Sequence, residues 1–185
     1  MKENFIQTYQ IDDLSICDKL IDFHSSGKQY LGKTGNGQVD PEKKDSIDVD
    51  LAPTDPLALE YFSHLEKAAK QYIDAYPYCN FYYPWGVSET SHVQYYKPGG
   101  GYKQWHTERF SADAPFSQRH LVWMTYLNDI TDAGGTEFAH QGVVIEPRKG
   151  LTVIWPADWT YTHRGVVSPT QEKYIITGWF SYFNN

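Results

Sequence analysis

Apolar positions in the amino-terminal part of the chain recur with helical spacing. Leu14, Cys17, Ile21 and His24 follow one another at steps of three and four, predicting an amphipathic helix from about Asp12 or Asp13 to His24, with a stop at Gly27. The segment from Gly27 to Asp48 is polar, rich in glycine and without period. It reads as a mobile loop with room for a short strand, either a solvated connection or a lid that closes over a site. A second helix is predicted to start at Asp55-Pro56, an N-cap followed by proline at the first helical position. Its apolar stripe, Ala58, Phe62, Leu65, Ala69, Tyr72 and Tyr76, suits packing on a sheet.

From Pro77 onward the pattern changes to short runs rich in β-branched and aromatic residues, separated by Pro, Gly, Asn or Asp. The runs are SHVQYY, YKQWHTE, RHLVWMTYLN, GGTEF, GVVIEP, GLTVIWP, YTHRGVV and KYIITGWFSYF. Eight such runs predict a mainly β fold, a double-sheet jelly roll braced on one side by the two earlier helices. The chain therefore reads as one domain, residues 1–185, with helical support over roughly 1–76 and the jelly-roll core over roughly 90–183. The aromatic stretch from Pro77 to Gly86 has two readings: its rings pin the second helix to the sheet, or they form a surface for a polyproline-like peptide.

Composition narrows the class. Aromatics make up 16% of the 185 residues, with fifteen Tyr and six Trp, which favours a sheet-rich, pocket-forming architecture. A formal charge of −7 and a pI near 5.4 argue against wholesale binding to nucleic acid or an anionic membrane. No apolar run approaches the roughly 18 residues of a membrane span, and the amino terminus has no apolar core of a signal peptide. A soluble, cytoplasmic protein is expected. Cys17 and Cys79 are too few for a disulfide framework or a cysteine-based zinc site.

The candidate chemistry lies in WHTE. On a strand, His106 and Glu108 point to the same face, and a further histidine such as His163 would complete two imidazoles and a carboxylate. That ligand set fills one face of an octahedral ion and leaves three positions for substrate chemistry. The same donors can hold catalytic zinc with an open position, so a metallohydrolase is the competing enzyme reading. A non-catalytic sensor is the competing reading outside enzymes. The glycines Gly99 to Gly101 are not followed by a predicted helix, which argues against a phosphate cradle. His24, His64, His92, His120 and His140 have no partner pattern and default to surface or ordinary hydrogen-bonded roles.

In order along the chain stand YYKPGGGYKQWHTE, RHLVWMTYLND, GGTEF, EPRKGLTVIWPADWTYTH and EKYIITGW. From about Ser91 to Tyr182 this series resembles the Fe(II)- and 2-oxoglutarate-dependent dioxygenases, in particular their prolyl 4-hydroxylase-like branch, and the early helix with Cys17 and LIDF is similar to that branch too. The resemblance implies that His106, Glu108 and His163 bind Fe(II). It implies that Lys173, ten residues after His163, holds the far carboxylate of 2-oxoglutarate with Tyr126, that Tyr96 reaches the metal-bound end, and that Trp179 closes the cosubstrate pocket. Thr136 is expected to line that pocket or to satisfy a strand end. A lysine turned into a barrel interior also needs an anionic partner on physical grounds.

The branch usually carries Asp where this chain has Glu108. A carboxylate is nonetheless present, which argues against halide transfer, where a small residue frees a coordination position. The implied reaction couples decarboxylation of 2-oxoglutarate to hydroxylation of a C–H bond. The implied cofactors are Fe(II), 2-oxoglutarate and O2, with ascorbate as a further candidate. A prolyl residue in a peptide or protein is the first substrate expectation, and a free amino acid or other small molecule the alternative; oligomeric state is left open.

Overall fold

The computed structural model describes residues 4–35 and 37–183. In chain order the elements are β1 (Gln7–Gln10), α1 (Ser15–Ser26), β2 (Tyr30–Leu31), β3 (Ile47–Leu51), α2 (Pro56–Ala75), β4 (Trp85–Gly86), β5 (Ser91–Tyr96) and β6 (Arg119–Tyr126). They continue with β7 (Thr136–Phe138), β8 (Val143–Ile145), β9 (Leu151–Pro156), β10 (His163–Gly165) and β11 (Lys173–Tyr182). The larger sheet runs β1-β9-β6-β11-β5-β3-β2 with β4 added to β11, and the smaller runs β10-β7-β8. All paired strands are antiparallel. This is the expected mainly β jelly roll with two helices.

Alternation along the central strand β11 decides what lies on each face of the large sheet. Ile176 and Phe180 join Trp123, Ile154, Leu20 and Leu65 in the core under the helices. Lys173, Ile175, Thr177 and Trp179 point the other way, into a cavity between the two sheets. A second apolar cluster beside that cavity joins Val122, Met124, Val153 and Trp155 of the large sheet to Phe138 of the small one. Gly178 lets the indole of Trp123 lie against the strand: a Cβ there would stand 2.3 Å from its ring.

Helix α2 follows its pattern closely. Asp55 accepts a hydrogen bond from the Leu57 amide at 2.8 Å, and Pro56 opens the helix. Helix α1 starts later than expected, at Ser15, because the Asp13 carboxylate accepts the Ser15 amide at 2.9 Å and holds a turn ahead of the helix; it then runs on to Ser26. The first strand, β1, was not foreseen: only four residues long, it is ordered by pairing along β9.

Two further expectations change. The run YKQWHTE forms no continuous strand; it touches its neighbours through two isolated bridges, Tyr102 to Lys44 and His106 to His163. The segment from Gly27 to Asp48 is tied down at its far end, where Asp45 donates to the Gly101 carbonyl and Lys103 to the Lys43 carbonyl. There Lys44 and Asp48 form a buried ion pair at 2.7 Å. In the aromatic stretch, Trp85 packs on Phe180 and His120, whereas Tyr78, Phe81 and Tyr82 are exposed and line no part of the cavity. Among the described residues no helix is long and apolar enough to cross a membrane.

Candidate active site

The backbones of His106 and His163 exchange two hydrogen bonds, at 3.0 and 2.9 Å, and so bring the two rings to 4.3 Å between centroids. His106 Nδ1 lies 2.9 Å from the Gln104 carbonyl, and His163 Nδ1 lies 2.9 Å from the Tyr161 carbonyl. A carbonyl can only accept, so each neutral ring carries its proton on Nδ1 and presents a lone pair on Nε2. Both Nε2 atoms face Glu108 Oε1, at 3.5 and 3.6 Å. Tyr102 stacks on the outer face of His106, 3.7 Å between centroids and 10° between planes.

Three acceptors thus converge within 4.8 Å of one another, forming the one group of at least three potential metal ligands among the described residues. Acceptors facing one another need a cation or protons between them. Burial, followed by the charge of His163, pushes His106 below the usual histidine range, so protons are a poor filler. Burial alone would raise the Glu108 carboxyl, and it is held well below its usual range only when the two rings are protonated on Nε2 and supply hydrogen bonds and charge. Two imidazoles and a carboxylate suit a divalent transition metal, and the donor set fits Fe(II).

From this triad the cavity, about 890 Å³, runs along the inner face of the large sheet. Strand register lays its wall in rows: Lys173 stands opposite Tyr96, and Tyr126, Ile175, Gln94, Asp48 and Tyr30 follow one another across five strands. Lys173 is 5% exposed, and Nζ donates to the Gly134 carbonyl at 3.0 Å. Among the described residues no carboxylate pairs with it. Burial pulls its ammonium down to about 8. Tyr126 donates to the Ile145 carbonyl at 3.1 Å and shares a hydrogen bond with Thr136 at 2.7 Å. Tyr96 is buried beneath Lys173 and donates to Gln94 at 2.7 Å. Lys173, Tyr126, Thr136 and Tyr96 therefore line one cavity, whose wall also carries Gln94, Asp48 and Thr177.

Trp179 lies nearer the triad, its indole N–H donating to Glu108 Oε2 at 2.9 Å. Several neighbours had no signal in the residue pattern. Arg119 lies against Trp179 and pairs with Glu89 at 2.7 Å. The one hint was an arginine at the head of the apolar run RHLVWMTYLN. His92, grouped with the ordinary histidines, bonds Asp50 at 2.9 Å and lines the cavity. His24 and His120 contact the backbone carbonyls of Ile47 and Cys79 at 2.9 and 2.8 Å and lie outside the cavity wall.

Residues 91–181 match the family model of the 2OG-Fe(II) oxygenase superfamily. The whole fold is similar to that of a viral collagen prolyl hydroxylase from Paramecium Bursaria Chlorella virus-1, with 19% identity, 97% of each chain covered and a TM-score of 0.71. A prolyl-4-hydroxylase from Pseudomonas putida superposes with a TM-score of 0.72 at 18% identity, over 96% of this chain and 92% of that one. A Trichoplax adhaerens prolyl hydroxylase, solved with a hypoxia inducible factor oxygen degradation domain peptide fragment, gives 0.76 at 16% identity over 97% and 84%. No curated protein matches the chain in sequence.

The fold is a jelly roll whose cavity brings two histidines and one carboxylate within 4.8 Å of one another. The chain belongs to the 2OG-Fe(II) oxygenase superfamily and is a 2-oxoglutarate-dependent dioxygenase, with Fe(II), 2-oxoglutarate and O2 as its cofactors.

Proposed function

We propose that the chain hydroxylates an unactivated C–H bond of a prolyl residue in a peptide or protein, in the manner of the prolyl 4-hydroxylase-like branch, and that it works in the cytoplasm. The observation that carries the site assignment is the pairing of two incomplete groups along one cavity. At one place three acceptors face one another; at another a buried lysine has no carboxylate partner among the described residues. Fe(II) and 2-oxoglutarate supply the opposite charge to each. A zinc hydrolase would leave Lys173 without a role.

In this reading His106, Glu108 and His163 hold the metal by Nε2, Oε1 and Nε2. Lys173 and Tyr126 bind the far carboxylate of 2-oxoglutarate, Thr136 lines the same end, and Tyr96 walls the cavity between that end and the metal. Bound there, Fe(II) and 2-oxoglutarate would supply the oxidising chemistry, with one atom of O2 ending in succinate as carbon dioxide is released and the other inserted into the substrate C–H bond. The apolar wall of Met124, Ile175 and Trp155 would limit water around that chemistry. Trp179 and Arg119 donate to Glu108 Oε2, the carboxylate oxygen not facing the two Nε2 atoms.

A peptide substrate is supported by the peptide-bound state of the Trichoplax protein and by a cavity mouth bordered by Tyr30, Trp105, Phe110 and Phe116. Rings of this kind suit an extended, proline-containing segment that is already ordered. Anaerobic addition of Fe(II) and 2-oxoglutarate should produce a visible charge-transfer band, and admitting air with proline-containing peptides should release succinate and hydroxyproline. Absence of the band would reject the cosubstrate site. A band followed by succinate release with free amino acids, and with no peptide tested, would replace the peptide assignment by a small-molecule one.

A further inference from the structure

Glu108 is gripped from two sides. Oε1 faces the histidines, whereas Oε2 accepts Trp179 Nε1 at 2.9 Å and Arg119 Nη1 at 3.4 Å. Arg119 is itself immobile: 5% exposed, it meets both carboxylate oxygens of Glu89 through Nε and Nη2 at 2.7 to 3.2 Å. Its guanidinium carbon lies 3.4 Å from the centre of the Trp179 ring, and Nη1 also reaches the Glu108 carbonyl at 3.2 Å. Ser181 donates to Glu89 at 2.9 Å from the far side. The two donors to Oε2 therefore sit in a stack whose outer members are bonded in turn.

A carboxylate can bind a metal through one oxygen or two, and glutamate, with one methylene more than aspartate, has an extra torsion with which to swing. An octahedral ion bound by two imidazoles and one carboxylate oxygen keeps three positions. Two-oxygen ligation would take one of them, and 2-oxoglutarate with O2 needs all three. We propose that Arg119 and Trp179, held by Glu89, are positioning residues that commit Glu108 Oε2 and restrict this longer carboxylate to one-oxygen ligation. The inference rests on the reading of Glu108 as a metal ligand.

Co(II) under anaerobic conditions tests it without turnover, since the visible spectrum of the bound ion follows its coordination. Trp179→Phe keeps a ring for Arg119 to stack on and removes only the N–H. It should weaken Co(II) roughly ten-fold, the low end of what outer-shell partners of a ligand contribute, and should alter the bound-ion spectrum. Arg119→Lys and Glu89→Gln should do the same in smaller measure. In a Glu108→Ala background the Trp179→Phe effect should vanish, because the partner atom is gone. Wild-type affinity and spectrum in a folded Trp179→Phe, or an equal loss with and without Glu108, would overturn the positioning role. If Glu108→Ala itself binds Co(II) like the parent, the ligand reading fails and the proposal falls with it. Thermal unfolding of each variant separates loss of the site from loss of the fold.

Discussion

The ammonium of Lys173 lies 4.9 Å from the centre of the Tyr96 ring, directly across the β5 to β11 ladder, and its strongest hydrogen bond is to a carbonyl 3.0 Å away. A lysine in such surroundings is poised to attract an anion and costs stability until one arrives. Burial lowers it from 10.5 to about 8. Between those values the unfolded chain binds more protons than the folded one, so ligand-free stability should rise from pH 8 to 10.5, with the full cost present below 8.

The first prediction follows from that cost. At about 1.4 kcal/mol per unit, the shift is worth about 3 kcal/mol, offset by about 1 kcal/mol for the carbonyl hydrogen bond that a methionine would lose. Lys173→Met should therefore stabilise the cofactor-free protein by about 2 kcal/mol while removing the stabilisation that 2-oxoglutarate confers on the parent. Denaturant melts with and without the cosubstrate read both numbers. A variant less stable than the parent would contradict the account of an unpaired buried charge.

In the parent, 2-oxoglutarate affinity should be flat with pH below about 8 and fall above it, approaching about ten-fold per unit, because binding must then take up a proton at Lys173. Calorimetry in buffers of different ionisation enthalpy would show the proton uptake directly. A pH-independent affinity up to pH 10 would place the anchor on another residue.

His106→Ala and His163→Ala should each abolish tight Fe(II) binding and leave the fold intact. Their mutual pairing is through backbone atoms, which alanine retains, and the packing lost is local, the His163 ring against Phe138 and Trp155 and the His106 ring against Tyr102. Equilibrium dialysis against Fe(II), with circular dichroism as the control, checks both halves; full iron occupancy in either variant would remove that histidine from the ligand set.

Tyr126→Phe deletes a hydroxyl that bonds Thr136 and the Ile145 carbonyl. The loss should cost about 1 kcal/mol of stability. It should also weaken 2-oxoglutarate by roughly five- to ten-fold, the equivalent of about 1 to 1.4 kcal/mol, with Fe(II) affinity unchanged. Equal weakening of metal and cosubstrate would mean that the phenol supports the whole cavity and does not act on the far carboxylate.

The ion pair of Lys44 with Asp48, both about 5% exposed or less, closes the segment that begins at Gly27. Asp48 also accepts from Ser46 and Gln94, at 2.7 and 3.3 Å. Lys44→Met leaves that carboxylate without its countercharge and should cost about 3 to 5 kcal/mol. Hydrogen exchange should then accelerate first in residues 40–48. If exchange there is unchanged, the segment is held by its backbone bonds to Gly101 and Lys103, and the ion pair is dispensable.

Local pattern alone carried much of this protein. The stripe from Ala58 to Tyr72 and the Asp55-Pro56 start determine α2, since capping and periodicity act within a few residues. The jelly-roll strands after Pro77 were legible for the same reason, and two-residue alternation in KYIITGW already separated the face of Lys173 from the face of Ile176. The order of motifs pointed to His106, Glu108 and His163 before any geometry was known.

What only the tertiary structure decided involves partners distant in sequence. WHTE meets His163 through a single bridge and not a regular strand, so His106, Glu108 and His163 converge by a local geometry other than the two-residue alternation expected of a strand. The Gly27 to Asp48 segment looked free because the residues that hold it, Gly101 and Lys103, lie more than fifty positions away. Glu89, Arg119 and Trp179 span ninety residues and meet only because β6 and β11 are neighbours in one sheet. Periodicity reports which way a side chain faces; the charge and hydrogen bonds waiting there depend on strand order and register, which long-range pairing sets.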